Sequence, residues 1–214
     1  MLNRAKKVYG LQFKVNFKIQ SNGGLRWNYN YWYGSEKERQ KVLKVLRGIK
    51  ENFLILRDYY YGKMGFYRKT KDHYDHTFFP NYQWLVTKNS PRIKNLFFAL
   101  YQKAIRKNYG EIDFLGMVLS YCQEIPYKIP PNVVHNKVII GLLPPPQIVV
   151  ENWGDCDCKS VLFASLWNQY APKSTLLIRV PGHVFAAIRG RKTFSTDVAI
   201  KYKGQTYICM EPVG

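Results

Sequence analysis

Apolar and polar positions alternate without a break over Q-F-K-V-N-F-K-I-Q, residues 12–20. Phe13, Val15, Phe17 and Ile19 fall on one side, and Lys14, Asn16 and Lys18 on the other. That period of two predicts a strand with one wet face. S-N-G-G (21–24) supplies residues that accept positive φ, and R-W-N-Y-N-Y-W resumes the alternation through Trp27, Tyr29 and Tyr31. The two runs read as a β-hairpin. Ser35 and Glu38 then form a capping-box signal, and Val42, Leu43, Val45, Leu46, Ile49, Phe53 and Leu54 recur at helical spacing to about residue 56. Residues 57–89 mix aromatics with lysines and show no stable period.

Ser90-Pro91 reads as a helix start, serine capping and proline in the first turn, with the helix running to about Lys107. Asn108-Tyr109-Gly110 ends it. A second helix spans 111 to about 125 and stops before Pro126. Residues 126–146 hold six of the eleven prolines and read as a long irregular connection. A short helical piece follows at 145–153. Val161, Leu162, Leu166 and Trp167 suit a helix of about 14 residues opening at Cys156. T-L-L-I-R-V, H-V-F-A-A-I and T-Y-I-C-M-E read as three strands, and V-A-I-K-Y as a fourth. Helices followed by antiparallel strands make an α+β class.

Composition adds two constraints. At 214 residues and 46% hydrophobic content the chain can bury a core, which excludes a disordered protein. No apolar run is long enough to span a membrane as a helix. M-L-N-R-A-K-K-V-Y-G lacks the apolar stretch of a signal peptide, so the default compartment is cytoplasmic, or extracytoplasmic if a leader is removed. The net charge of +19 is uneven: residues 1–110 carry 23 basic and 6 acidic side chains, residues 111–214 carry 10 and 8. A polyanion surface with interleaved aromatics is one reading of the basic half, and simple solubility the other.

The candidate chemistry lies in the near-neutral half. G-D-C-D-C-K-S (154–160) runs straight into an apolar helix. A thiol in a first helical turn meets unpaired N–H groups and a partial positive charge, which predicts a lowered pKa and a nucleophile at Cys156. Adjacent Asp155 and Asp157 oppose that ionisation or cap the helix. A cysteine nucleophile needs an imidazole base and a group to orient it. His183, in V-P-G-H-V-F-A-A-I, enters a strand, and Glu211 ends the strand Y-I-C-M-E. Cys158, Cys122 and Cys209 read as core residues. A Cys156/Cys158 metal clip is disfavoured, because C-x-C is not the usual spacing and further ligands are badly placed. His73 and His76 form an H-x-x-H in a polar segment and read, with His135, as loop residues. No cofactor is implied.

G-D-C-D-C-K-S with its helix, then P-G-H-V-F-A-A-I, then Y-I-C-M-E-P, resembles the transglutaminase-like branch of the papain-like cysteine enzymes. The upstream C-Q-E-I-P-Y (122–127) and its proline-rich link fit too. The resemblance covers residues 90–214 and leaves 1–89 as a basic hairpin-and-helix region. It implies a cysteine-bearing helix packed on an antiparallel sheet, a Cys156-His183-Glu211 triad, and an acyl-enzyme formed on a peptide or carboxamide bond of a peptide or protein substrate. It implies oxyanion support from Gln123 or Tyr127. The family more often has aspartate where Glu211 stands, which keeps Asp197, in the long hairpin, as an alternative third member. Many such domains continue past the acid, so a C-terminal truncation after Gly214 is an expectation. The competing readings are a silent binding module on the same fold, and a polyanion-binding protein.

Overall fold

The computed structural model describes residues 2–8, 11–19, 25–30, 36–72, 75, 77–131, 133–134, 137–138 and 141–213. The turn at 21–24, Ser35, His73, His76 and His135 lie outside them. The chain forms two compact units, Met1–Pro80 with Asn132–Ile140, and Asn81–Pro131 with Gly141–Gly214.

In the first unit, β1 (Leu2–Val8), β2 (Leu11–Ile19) and β3 (Leu25–Asn30) form an antiparallel sheet in that order. The expected hairpin is the β2–β3 pair, with Phe17 opposite Trp27. β1 was not legible in its charged sequence. Helix α1 spans Glu36–Lys63 and outruns its expected end by about two turns. Leu54, Arg57 and Tyr61 explain the extension: all three are buried, at helical spacing. The arginine hides the period. Its guanidinium pairs with Asp58 at 2.8 Å and lies 5.0 Å over the Phe78 ring, and Tyr61 meets Phe78 edge-on. β4 (Phe66–Tyr67) and β5 (Phe79–Pro80) form a short antiparallel pair.

The second unit is α+β. It opens with α2 (Tyr82–Asn89), capped by the Asn81 side chain on the Trp84 N–H. The expected helix does begin at Ser90-Pro91, but as a 3-10 turn, and Ser90 is not its cap. Its hydroxyl donates to the Val86 carbonyl and closes α2, and Pro91 sits in a 3-10 turn, Ser90–Ile93. α3 (Lys94–Arg106) and α4 (Glu111–Glu124) follow. The irregular connection contains a minimal hairpin, β6 (Val133–Val134) with β7 (Lys137–Val138), which belongs to the first unit. α5 (Pro145–Glu151) leads to α6 (Cys156–Tyr170). β8 (Thr175–Val180), β9 (His183–Arg189), β10 (Ala199–Tyr202) and β11 (Gln205–Met210) make an antiparallel sheet in the order β10-β11-β9-β8.

α6 is the axis of this unit. Every residue from Cys158 to Trp167 is buried, so the helix is covered on all sides rather than on one face. It packs against α2, α3, α4, α5, β8 and β9. Leu162, Phe163 and Leu166 are fully buried, each contributing about 1.5–3 kcal/mol. An aromatic cluster of Phe97, Tyr101, Phe114, Trp167 and Tyr170 fixes its C-terminal half, with Phe114 and Tyr170 edge-on at 5.2 Å. Consecutive buried Ala186 and Ala187 point to opposite faces, so β9 is covered on both.

Candidate active site

The N-terminus of α6 is built by four local features. Asp155 is the N-cap, its carboxylate accepting from the Cys158 N–H at 3.3 Å. Gly154 must be glycine, because a Cβ there would stand 2.8 Å from the Cys158 Cβ. Gly154 also donates to the Pro126 carbonyl and accepts from the Lys128 N–H, bridging in parallel to Tyr127. The exit of α4 is thereby latched to the cysteine turn. Cys158 points into the core, fully buried, its sulfur accepting the Leu143 N–H at 3.2 Å. That divergent, occupied position matches a packing cysteine and does not suit a clip with Cys156. Among the described residues no group of three His, Cys, Asp or Glu side chains could hold a metal.

Cys156 is 8% exposed. Its thiol lies by the Val184 N–H, immediately after His183, and donates to the Asp157 carboxylate at 3.6 Å. The Val184 carbonyl accepts from the Ser160 hydroxyl, one turn along α6. These bonds fix the first turn of the helix against the mouth of β9. Burial raises the thiol's pKa, the Val184 N–H pulls it down, and the Asp157 and Asp155 charges push it up again. The net direction is upward, opposite to the expected lowering. The partial positive charge of a helix start is outweighed by desolvation and two neighbouring carboxylates.

His183 follows the tight Pro181-Gly182 turn, with Gly182 at φ +76°. Its Nε2 lies 2.7 Å from Glu211 Oε2. This leaves Nδ1 as the second ring nitrogen, on the residue adjoining the thiol's backbone partner. Glu211 Oε1 accepts the Val213 N–H, which holds the carboxylate on its strand end. Asp197 is engaged elsewhere, its carboxylate accepting the Thr193 and Phe194 N–H groups at 2.7 and 2.9 Å, which lowers its pKa. Gln123 donates its side-chain amide to the Glu211 carbonyl at 2.8 Å, so it supports the acid's backbone. The Tyr127 ring is half exposed, and the carboxyls and thiols of the cysteine turn raise its pKa after desolvation does.

No family model, curated protein or solved structure matches the chain.

Two residues of the site escape a reading of the sequence. Lys159 is 1% exposed, and its ammonium donates to the Gln123 carbonyl at 3.2 Å. Burial lowers its pKa, while Cys122 and Glu211 pull it back up. A continuous chain of contacts thus runs Lys159, Gln123, Glu211, His183. Tyr82 donates from its hydroxyl to Asp157 at 2.8 Å, and burial beside that carboxylate strongly raises its own pKa. The one available signal for Lys159 is a lone lysine inside an apolar helix, three residues after the candidate nucleophile. Cys122 is fully buried and Cys209 half-buried, and burial pushes both thiols up.

Proposed function

We propose that the protein is a cysteine acylase of transglutaminase-like type, a hydrolase or acyltransferase acting on peptide or carboxamide carbonyls. The observation that carries this reading is the 2.7 Å His183–Glu211 pair, set one residue from the N–H that meets the Cys156 thiol. A carboxylate on Nε2 fixes the ring and stabilises the imidazolium, as a base-orienting group must.

The raised thiol pKa shapes the mechanism. The resting sulfur is a thiol, and His183 takes its proton as the sulfur attacks. The Sγ–C bond forms and the carbonyl oxygen becomes an oxyanion, faced by N–H groups of the first turn of α6 that the Asp155 cap leaves open. The C–N bond then breaks. His183 returns the proton to the departing amine, leaving a thioester on Cys156. Water or a second amine resolves it.

The test is p-nitrophenyl acetate, read as a p-nitrophenolate burst and as a hydroxylamine-labile acetyl group mapped to Cys156. His183→Ala should slow that acylation by about 10²–10⁴-fold. Acetylation confined to lysines, or a Cys156 rate unchanged in His183→Ala, sinks the reading. The charge of +19 favours a second reading, polyanion binding by the basic half, tested by salt-dependent retention on heparin.

A further inference from the structure

The two edges of the second unit's sheet are built differently. β10 has four residues, carries Lys201 and runs into Lys203. Short strands and lysines are how edges avoid pairing with other chains. β8 has six residues and an uncharged Thr-Leu-Leu-Ile start. The Arg189 N–H donates to the Ser174 carbonyl, and the antiparallel register then assigns Leu176 and Ile178 to the bonded pairs with β9. Thr175 and Leu177 therefore turn their N–H and C=O groups outward, where no strand of the described residues pairs with them.

That edge borders a cleft of about 420 Å³. Thr175, Leu176 and Leu177 all line it, and side chains of consecutive strand residues point to opposite faces, so the cleft lies along the edge. Tyr82 and Val86 of α2 and Ala164 of α6 line it too. The same Tyr82 donates its hydroxyl to Asp157, the neighbour of Cys156. Lys173 is the one charged residue lining the cleft.

We propose that this edge docks the substrate: an extended, neutral or acidic polypeptide segment pairs with β8 as a fifth strand, remote from the bond that reacts, while the adjoining part of the same chain reaches Cys156. The inference rests on the acylase reading for the word substrate. The edge fits a peptide backbone because its free donors and acceptors recur at strand spacing, which small molecules and sugars do not match. Its continuity with the cysteine turn through Tyr82 makes the docked chain the one that is acylated from.

The experiment is residue-resolved amide exchange on the full chain carrying Cys156→Ala, with and without a pool of capped decapeptides of zero net charge. Neutral probes remove the general pull of a basic protein. Exchange at Thr175 and Leu177 should slow at least tenfold, while Leu176 and Ile178, already bonded to β9, stay unchanged. Leu177→Pro, which deletes one outward N–H at an edge that tolerates proline, and Val86→Trp, which fills the cleft, should each abolish the protection at Thr175. Equal exchange with and without peptide overturns the proposal, as does protection spread evenly over residues 175–178. Protection at Thr175 and Leu177 without acylation of wild-type Cys156 by p-nitrophenyl acetate keeps the docking edge and removes the acylase reading. Acylation without protection does the reverse.

Discussion

Two buried cations among the described residues, Arg57 in one compact unit and Lys159 in the other, are treated differently. Arg57 in α1 lies against Asp58 at 2.8 Å, with Asp58 also bound by Arg68 at 2.7 Å, so its charge is matched on the spot. Lys159 in α6 meets no carboxylate within bonding reach among the described residues; its ammonium donates to the Gln123 carbonyl, and Glu211 acts on it from farther away. A locally neutralised cation holds a helix to its surroundings. A buried cation that meets a carbonyl instead of a carboxylate recovers less of its desolvation cost. The difference separates a charge neutralised in place from one joined by contacts to the His183–Glu211 pair.

The largest effect should come from breaking the matched pair. Arg57→Ala removes a fully buried guanidinium and should destabilise the first unit by about 3 kcal/mol, the lower end for a broken buried pair, because Arg68 still serves Asp58. Denaturant melts should show this loss with Cys156 acylation unchanged; a fall in acylation would tie Arg57 to the site. Gly154→Ala comes next. The 2.8 Å approach to the Cys158 Cβ forces the first turn of α6 to shift, at about 1–3 kcal/mol, and stability and acylation should fall together.

Lys159→Met sharpens the contrast. Replacing an unmatched buried charge by an apolar chain of similar length should leave the melting temperature unchanged or higher. Acylation should still drop about tenfold, or about 1.4 kcal/mol at the transition state. A variant that melts early and acylates normally would make Lys159 merely structural. The smallest effect is one of pH. Burial raises the thiols of Cys122 and Cys158, so folding favours their protonated forms. Their contribution is intact below the ordinary thiol range and is lost as pH rises above about 9. Melting temperature should therefore fall from pH 8 to pH 10, less steeply in Cys122→Ala.

The sheet, α4, α6 and the His183–Glu211 pairing were legible because each rests on a local rule: apolar periodicity, a tight turn, adjacent strands. What escaped depends on partners distant in sequence. Arg57 looks like a solvated residue until Asp58 and Phe78 surround it, which is why α1 seemed to end early. Ser90-Pro91 carries both marks of a helix start, yet the serine's hydroxyl turns back to Val86. The Cys156 thiol's pKa runs opposite to the sequence expectation, since a helix start is visible in sequence and desolvation is not. Lys159 was unreadable for the same reason.

The latch at Gly154 has a consequence for how the chain can change. The backbone leaves the cysteine turn at Tyr127 and comes back to it at Leu143, whose N–H is held by the Cys158 sulfur. Both ends of the intervening excursion are clamped to the same turn. A short flexible insertion between the two clamps is expected to leave the start of α6 in place. An excursion anchored in this way is a natural grafting point, open to new segments without redesign of the scaffold that holds Cys156.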